Sequence, residues 1–572
     1  AGAGRNPRAA ARMNDVSHVN IAEKLRESAS RYPFQRAVVF PAGRDPAGRP
    51  TWSQWTFAQL ERETDLLAYG LRQLGVRRGM RLALMVRPSL EFIALTFALF
   101  KTGAVVVLID PGMGSQQLIG CLESVEPEGF IAIPLVQAIR RFLRRRFPHA
   151  KLNVTVGRNW WWRGPTYADL VQNAANETAP FPIADTKATD PAAIIFTSGS
   201  TGPPKGVLYE HGMFAAQVEM LQSHFGIQPG EVDLPGFPLF ALFNSAMGVT
   251  TVIPEMDPTR PAQVDPQKIE EAIDTHAVTQ AFGSPAIWNR VGRYCEPLGR
   301  VFPTLGRVMS AGAPVPVPVI ERMLKTLTRP EADVFTPYGA TEALPVALIS
   351  GREVLAETAA QTCRGAGTCV GRPFPGAQIK IIAISEGPIA SMSAAHELPA
   401  REIGEIIVQG AMATREYFRK PEATARAKIP DGERFWHRMG DVGYLDEQGR
   451  LWFCGRQAHI VETAAGRMFT ECCEPIFNAH PRVYRTALVG VGSALSQRPV
   501  IVVEPEANAY PHNSRDEEFF RRELRDLALG SPLTRDIETF LFHPSLPVDV
   551  RHNIKISREQ LAVWATERLQ RG

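Results

Sequence analysis

Apolar and polar residues along the 572-residue chain fall into two periodicities. Over Ala22 to Ser30 and Phe57 to Leu74 the apolar positions recur at helical spacing. Arg81 to Val86, Ala104 to Ile109, Phe130 to Pro134, Ala192 to Phe196, Val249 to Ile253 and Arg307 to Ala311 are short aliphatic runs with the length of strands. Helices alternating with uninterrupted apolar strands predict an α/β protein with largely parallel, buried sheets. From Gly371 to Phe453 the strands become short and are divided by turn-rich pieces such as Asp446-Glu447-Gln448-Gly449. That change predicts antiparallel or barrel-like structure. A compact unit of α+β character follows Gly455, and the Gly455–His459 stretch is the candidate hinge. The expected organisation is therefore a large domain over 13–455, with α/β-sandwich sheets and a distorted β-barrel, and a small mobile lid over 456–572. Residues 1–12, rich in Ala, Gly and Arg, read as a leader ahead of a start at Met13.

Composition narrows the picture. A 45% hydrophobic, 21% charged chain is ordinary for a globular protein, and a net charge of +4 at this length gives no reason to expect nucleic acid as a partner. Seven cysteines without a CxxC pair indicate free thiols in a reducing, cytoplasmic setting, with Cys472 and Cys473 as packing residues. The most apolar stretch, Phe92 to Asp110, is interrupted by Lys101 and Gly103 and reads as a buried helix and strand, not a membrane span. Arg140 to Arg146 (RRFLRRR) reads as a solvated helix face. Trp160-Trp161-Trp162 has two open readings, a satellite cluster under a loop or a contact patch for another protein.

The most informative chemistry lies at Ile194 to Gly206, IIFTSGSTGPPKG. An apolar strand ends at Phe196, and a loop of small and hydroxylated residues follows. Gly199 and Gly202 allow close backbone approach to a ligand. Thr197, Ser198, Ser200 and Thr201 supply hydroxyl donors, and Lys205 supplies positive charge. Such a loop can envelop a polyphosphate, although it has no Walker A spacing.

This string resembles the signature of the adenylate-forming superfamily of acyl-CoA synthetases, adenylation domains and luciferases. The resemblance recurs in order from about residue 20 to 565. It implies ATP and Mg2+ as cofactors. SAGAP at 310–314 would border adenine through Gly312, Ala313 and Pro314. In TPYGATEA at 336–343, Tyr338 beside Gly339 would stack on adenine, Thr341 would contact phosphate and Glu342 would bind magnesium. Asp441 in RMGDVGYLD would hold the ribose hydroxyls, and Arg456 ends LWFCGR. HNIKISREQL at 552–561 resembles the family's C-terminal motif, which would make Lys555 the catalytic lysine.

Two departures bear on the product. Gly455-Arg456 is followed by Gln457-Ala458-His459-Ile460 instead of the usual lysine and acidic hinge residue. Ala465-Gly466-Arg467-Met468 replaces a Gly-Glu-Asn loop that helps receive a thiol partner. On the acyl side, the family's Pro-Leu-Phe-His becomes Pro238-Leu239-Phe240-Ala241. Phe240, Phe243, Met247, Phe282, Gly283 and Trp288 are the candidate lining of an acyl pocket. In these features the chain resembles the olefin β-lactone synthetases of bacterial long-chain hydrocarbon biosynthesis. That resemblance implies adenylation of a long-chain 2-alkyl-3-hydroxy acid, then closure of a β-lactone by its own hydroxyl. It also suggests other enzymes of that pathway as partners. A long-chain fatty acyl-CoA ligase and a non-catalytic acyl-binding scaffold remain alternatives. His459 and His211 are the candidate bases for the hydroxyl.

Overall fold

The computed structural model describes residues 18–158, 164–197, 204–237, 240–494, 496–548 and 556–571. Two extended sheets and a smaller C-terminal one carry the chain. The first has six strands in the order Leu152–Thr155, Gly129–Ala132, Arg81–Met85, Val105–Ile109, Pro191–Thr197 and Lys205–Glu210. The first five are parallel, and only the last pair is antiparallel. Strands covered on both faces read as continuous aliphatic runs, and Val105–Ile109 (VVVLI) is one. The helix Leu90–Thr102, buried along nearly its whole length, packs beside it.

The second sheet has fourteen strands. Its centre is parallel: Thr250–Val252, Val232–Pro235, Gln280–Gly283, Arg307–Ser310 and Asp333–Ala340 are adjacent in that order. At Ala343–Ser350 the pairing turns antiparallel and stays so through Thr368–Pro373, Leu451–Arg456, Arg434–Leu445, Gly404–Gln409 and Gln378–Ile382. The antiparallel character expected from Gly371 begins earlier, at Ala343–Ser350, and the antiparallel run is hydrogen-bonded directly onto the parallel one.

Local signals set the helix ends. In Phe57–Leu74, Thr56 accepts from the Gln59 amide while the Gln59 side chain accepts from the Thr56 N–H, and Gly75 ends the helix in the left-handed conformation. After Arg456 a three-residue 3-10 turn, Gln457–His459, leads to a three-stranded sheet of Val483–Ser493, Ser496–Pro505 and Thr539–Phe542. The helices Thr470–Asn478, Ser514–Leu529 and Arg558–Arg571 accompany it. All seven cysteines are free, and Cys472 and Cys473 are buried as packing residues. Among the described residues no helix is long and apolar enough to cross a membrane.

Candidate active site

A cleft of about 2340 Å³ opens where strand ends of both sheets meet the C-terminal unit. The predicted residues Lys205, Gly312, Ala313, Pro314, Tyr338, Gly339, Thr341, Glu342, Asp441 and Arg456 all line it. Ser198, Gly199, Ser200, Thr201, Gly202 and Lys555, with the Trp160–Trp162 patch, lie outside the described residues. The loop's stems are described. Pro191–Thr197 and Lys205–Glu210 are paired antiparallel, with Thr197 and Lys205 as register partners.

Thr341 and Glu342 form the two-residue tip of the hairpin between Asp333–Ala340 and Ala343–Ser350. Gly339 has to be small here, because a Cβ would meet the Ala343 carbonyl oxygen at 2.8 Å and the Leu344 Cβ at 2.9 Å. Three elements hold the tip. The Tyr209 hydroxyl donates to the Thr341 carbonyl at 2.6 Å. The Thr414 N–H donates to the Glu342 carbonyl at 2.8 Å. The Tyr417 hydroxyl donates to Glu342 Oε1 at 2.8 Å and aims the carboxylate. Lys205 Nζ sits 5.0 Å over the Tyr417 ring, so this cation and the Glu342 carboxylate share one aromatic support.

Asp441 is built in the same way. It faces Arg456 across neighbouring antiparallel strands. Arg456 Nη1 lies 2.9 Å from Asp441 Oδ1, and the Tyr338 hydroxyl donates to Oδ2 at 2.6 Å. Burial, then the Asp441 charge, pushes the Tyr338 phenol well above its ordinary pKa, so it stays a donor. A carboxylate has about four lone-pair sites, so each oxygen can accept a further hydroxyl.

Behind Glu342 sits a group the sequence did not reveal. Lys428 is buried; its Nζ donates to the Thr414 carbonyl and lies 3.1 Å from His437 Nδ1. Burial pushes its pKa down to about 7, opposed in part by Glu342. Lys428 opens the strand Lys428–Asp431, and tertiary packing places its side chain inside.

The acyl side divides the predicted lining. Phe240, Phe243 and Phe282 face the cleft, with Phe240 and Phe282 stacked at 3.9 Å between centroids. Met247, Gly283 and Trp288 correct the expectation, because they lie behind that wall. Met247 is a core residue of the helix Phe240–Met247. Trp288 is buried, donates from Nε1 to the Met309 carbonyl at 2.9 Å, and packs against the Gly283 backbone. Beneath the helix, the Asn244 amide donates to Asp233 Oδ2 at 2.6 Å, and burial pushes Asp233 up to about 7.

Of the candidate bases, His211 is corrected. It is sealed in the core against Phe100, its Nδ1 accepts from the Ile21 N–H at 3.3 Å, and it does not line the cleft. His459 does line the cleft, with Nε2 3.2 Å from Glu559 Oε1. Burial and Arg558 lower its pKa.

Lys205 beside the Tyr417 ring, a carboxylate at a tight turn and a second carboxylate beside a buried phenol thus face one cleft. The chain belongs to the AMP-binding enzyme family, which it matches over residues 25–418. It is 48% identical over 554 residues to the olefin beta-lactone synthetase of Xanthomonas campestris pv. campestris, covering 96% of this chain and 98% of that protein. It is 49% identical over 560 residues to the olefin beta-lactone synthetase of Stenotrophomonas maltophilia, covering 96% of this chain and 99% of the relative. Among solved structures it shares its fold with the amide bond synthetase McbA of Marinactinospora thermotolerans. There the TM-score is 0.76 at 23% identity, covering 95% of this chain and 99% of that one.

Proposed function

We propose that the protein activates a long-chain 2-alkyl-3-hydroxy carboxylic acid as its acyl-adenylate and closes it to a β-lactone, releasing pyrophosphate and then AMP. The observation that carries this reading is near-half identity, over almost the whole chain, to two relatives named for that activity. The geometry is compatible with it: one cleft joins the polar hairpin tip at Glu342 to the apolar wall of Phe240, Phe243 and Phe282.

Each step has residues to serve it. Asp441 would accept the ribose hydroxyls, Tyr338 would lie along the adenine, and Gly312, Ala313 and Pro314 would border its edge. Thr341 and Lys205, with the loop Thr197–Gly202, would hold the phosphates. Glu342 fits the magnesium that accompanies ATP, being a hard oxygen donor facing the cleft with one oxygen fixed by Tyr417. A magnesium ion held there would supply positive charge to offset that of the phosphates. The substrate carboxylate attacks the α-phosphorus and the bond to pyrophosphate breaks. Lys555, carried by a lid of residues 456–572, would neutralise charge at that centre.

In the second step the substrate's 3-hydroxyl oxygen attacks the activated carbonyl, the bond to AMP breaks, and the hydroxyl proton passes to the departing AMP phosphate. Nucleophile and electrophile belong to one molecule, so effective molarity replaces an external acceptor. The wall of phenylalanines would hold the alkyl chains and keep water from the adenylate.

The test is product analysis by NMR with ATP, magnesium and a racemic 2-alkyl-3-hydroxy long-chain acid, with and without coenzyme A. Lactone and AMP formed without coenzyme A are expected. An acyl-CoA product with no lactone in either reaction would return the protein to the long-chain acyl-CoA ligases. No pyrophosphate release with any acid, despite tight binding, would leave an acyl-binding scaffold.

A further inference from the structure

The helix Pro134–Phe142 is inside out. Its fully buried residue is polar: Gln137 faces the six-stranded sheet, and its amide donates to the Phe130 carbonyl at 3.1 Å and the Val154 carbonyl at 2.8 Å. At about 100° per residue, Leu135, Ile139 and Phe142 fall within an arc of roughly 60° on the opposite side. They are 67%, 48% and 88% exposed. A surface helix ordinarily turns such a stripe to the core. Here Gln137 holds the inward position through backbone acceptors no aliphatic side chain could use, so the stripe is fixed outward.

Positive charge adjoins the stripe. Arg141, Arg144 and Arg145 are exposed, and no ion pair among the described residues engages them. Arg146 is matched by Glu123 at 2.6 Å, and Arg140 donates to Gln137 Oε1 at 2.8 Å. The sequence pattern had suggested only a solvated basic face, because it did not show which way the apolar residues point. An apolar partner protein would be satisfied by the stripe alone. A stripe bordered by unpaired guanidinium groups matches a lipid interface, where acyl chains take the apolar side chains and anionic headgroups take the cations.

We propose that the segment Pro134–Arg146 docks the protein peripherally on an anionic lipid surface. Leu135, Ile139 and Phe142 enter the headgroup–acyl boundary, and Arg141, Arg144 and Arg145 meet lipid phosphates. The inference is independent of the reaction proposed above.

The test is sedimentation of the full chain with phosphatidylcholine vesicles, with and without phosphatidylglycerol. Binding to the phosphatidylglycerol vesicles, weakened by salt, is expected. Each basic residue near an anionic surface contributes roughly a five-fold factor in affinity. Arg144→Glu with Arg145→Glu should therefore lower binding by at least about 25-fold. Ile139→Ser with Phe142→Ser should abolish it while pyrophosphate release is retained. Arg515→Glu, a charge reversal on the exposed start of the helix Ser514–Leu529, should leave binding unchanged. The proposal is overturned if the wild type ignores anionic vesicles, if the serine variants bind as well as wild type, or if Arg515→Glu weakens binding as much as the paired reversal. Lipid-independent self-association lost in Phe142→Ser would also overturn it, making the stripe a protein interface.

Discussion

Tyr417→Phe isolates one hydrogen bond. The Tyr417 hydroxyl donates to Glu342 Oε1 at 2.8 Å, and the ring beneath it supports Lys205 Nζ at 5.0 Å. Phenylalanine keeps the ring, its burial and its face toward the lysine, and removes only the donor. A hydrogen bond to a charged group contributes about 1.5–3 kcal/mol, because the carboxylate is left with a desolvated lone pair when the donor goes. If all of that acts on the placement of Glu342 toward magnesium and phosphate, kcat/KM for Mg·ATP falls roughly 10- to 150-fold. The assay is pyrophosphate release at saturating acid and limiting Mg·ATP, with a magnesium titration alongside. A thermal melt separates this from a loss of folded protein. The decisive comparison is the same substitution in a Glu342→Gln background, where no carboxylate remains to be aimed. There its further effect should shrink to within about two-fold, the mark of two groups acting as one unit. Wild-type kcat/KM in Tyr417→Phe, or an equal penalty in both backgrounds, would refute the reasoning.

Lys555→Ala should lower pyrophosphate release by two to three orders of magnitude, roughly what one electrostatic donor contributes, while leaving nucleotide binding near wild type in a calorimetric titration. Gly283→Ala would set a methyl 2.9 Å from Trp288 Cε2, against a buried indole tied to Met309. Overpacking of this kind costs about 1–3 kcal/mol. The melting temperature should fall and the KM for the acid should rise, with the KM for ATP unchanged. Burial raises Asp233 from the ordinary carboxylate range to about 7. At this group the folded state therefore binds more protons than the unfolded state between about pH 4 and 7, so its contribution to stability falls as pH rises through that window, while the buried His211 and His276, lowered to about 4, act with the opposite sign. Asp233→Asn should flatten the fall, read as the difference from wild type in urea midpoints because Glu471, also raised to about 7, acts over the same range. Lys428, lowered to about 7, acts only above it and with the opposite sign.

The parallel strands were legible because strands covered on both faces leave little room for polar residues. Arg81–Met85, Val105–Ile109 and Pro191–Thr197 lie within a residue or two of the apolar runs that predict them. The helix Phe57–Leu74 was legible from its periodicity. Strand order was not, since the chain crosses between sheets and a run of aliphatics does not name its neighbour. At the site, the residues that line the cleft came from ordered motifs. The pairings that aim Glu342 did not, because a motif does not say which distant residue it meets. Tyr417 and Thr414 reach Glu342 across 75 and 72 positions, and Lys428 reads as one more charge in a basic stretch. Trp288 and Met247 show the same limit in reverse. An aromatic or a methionine near a pocket motif is equally at home one layer behind the wall, and only the packing decides.

The ties around the two carboxylates also constrain how the protein comes to exist. Tyr338 reaches Asp441 across 103 positions, and Tyr209 reaches Thr341 across 132. Contacts that close such long loops are entropically late, forming once the local helices and hairpins have condensed. On the proposed reading of the site, nucleotide affinity would be acquired with the last distant strand pairings. On refolding, its appearance times the completion of the fold, behind the earlier recovery of secondary structure.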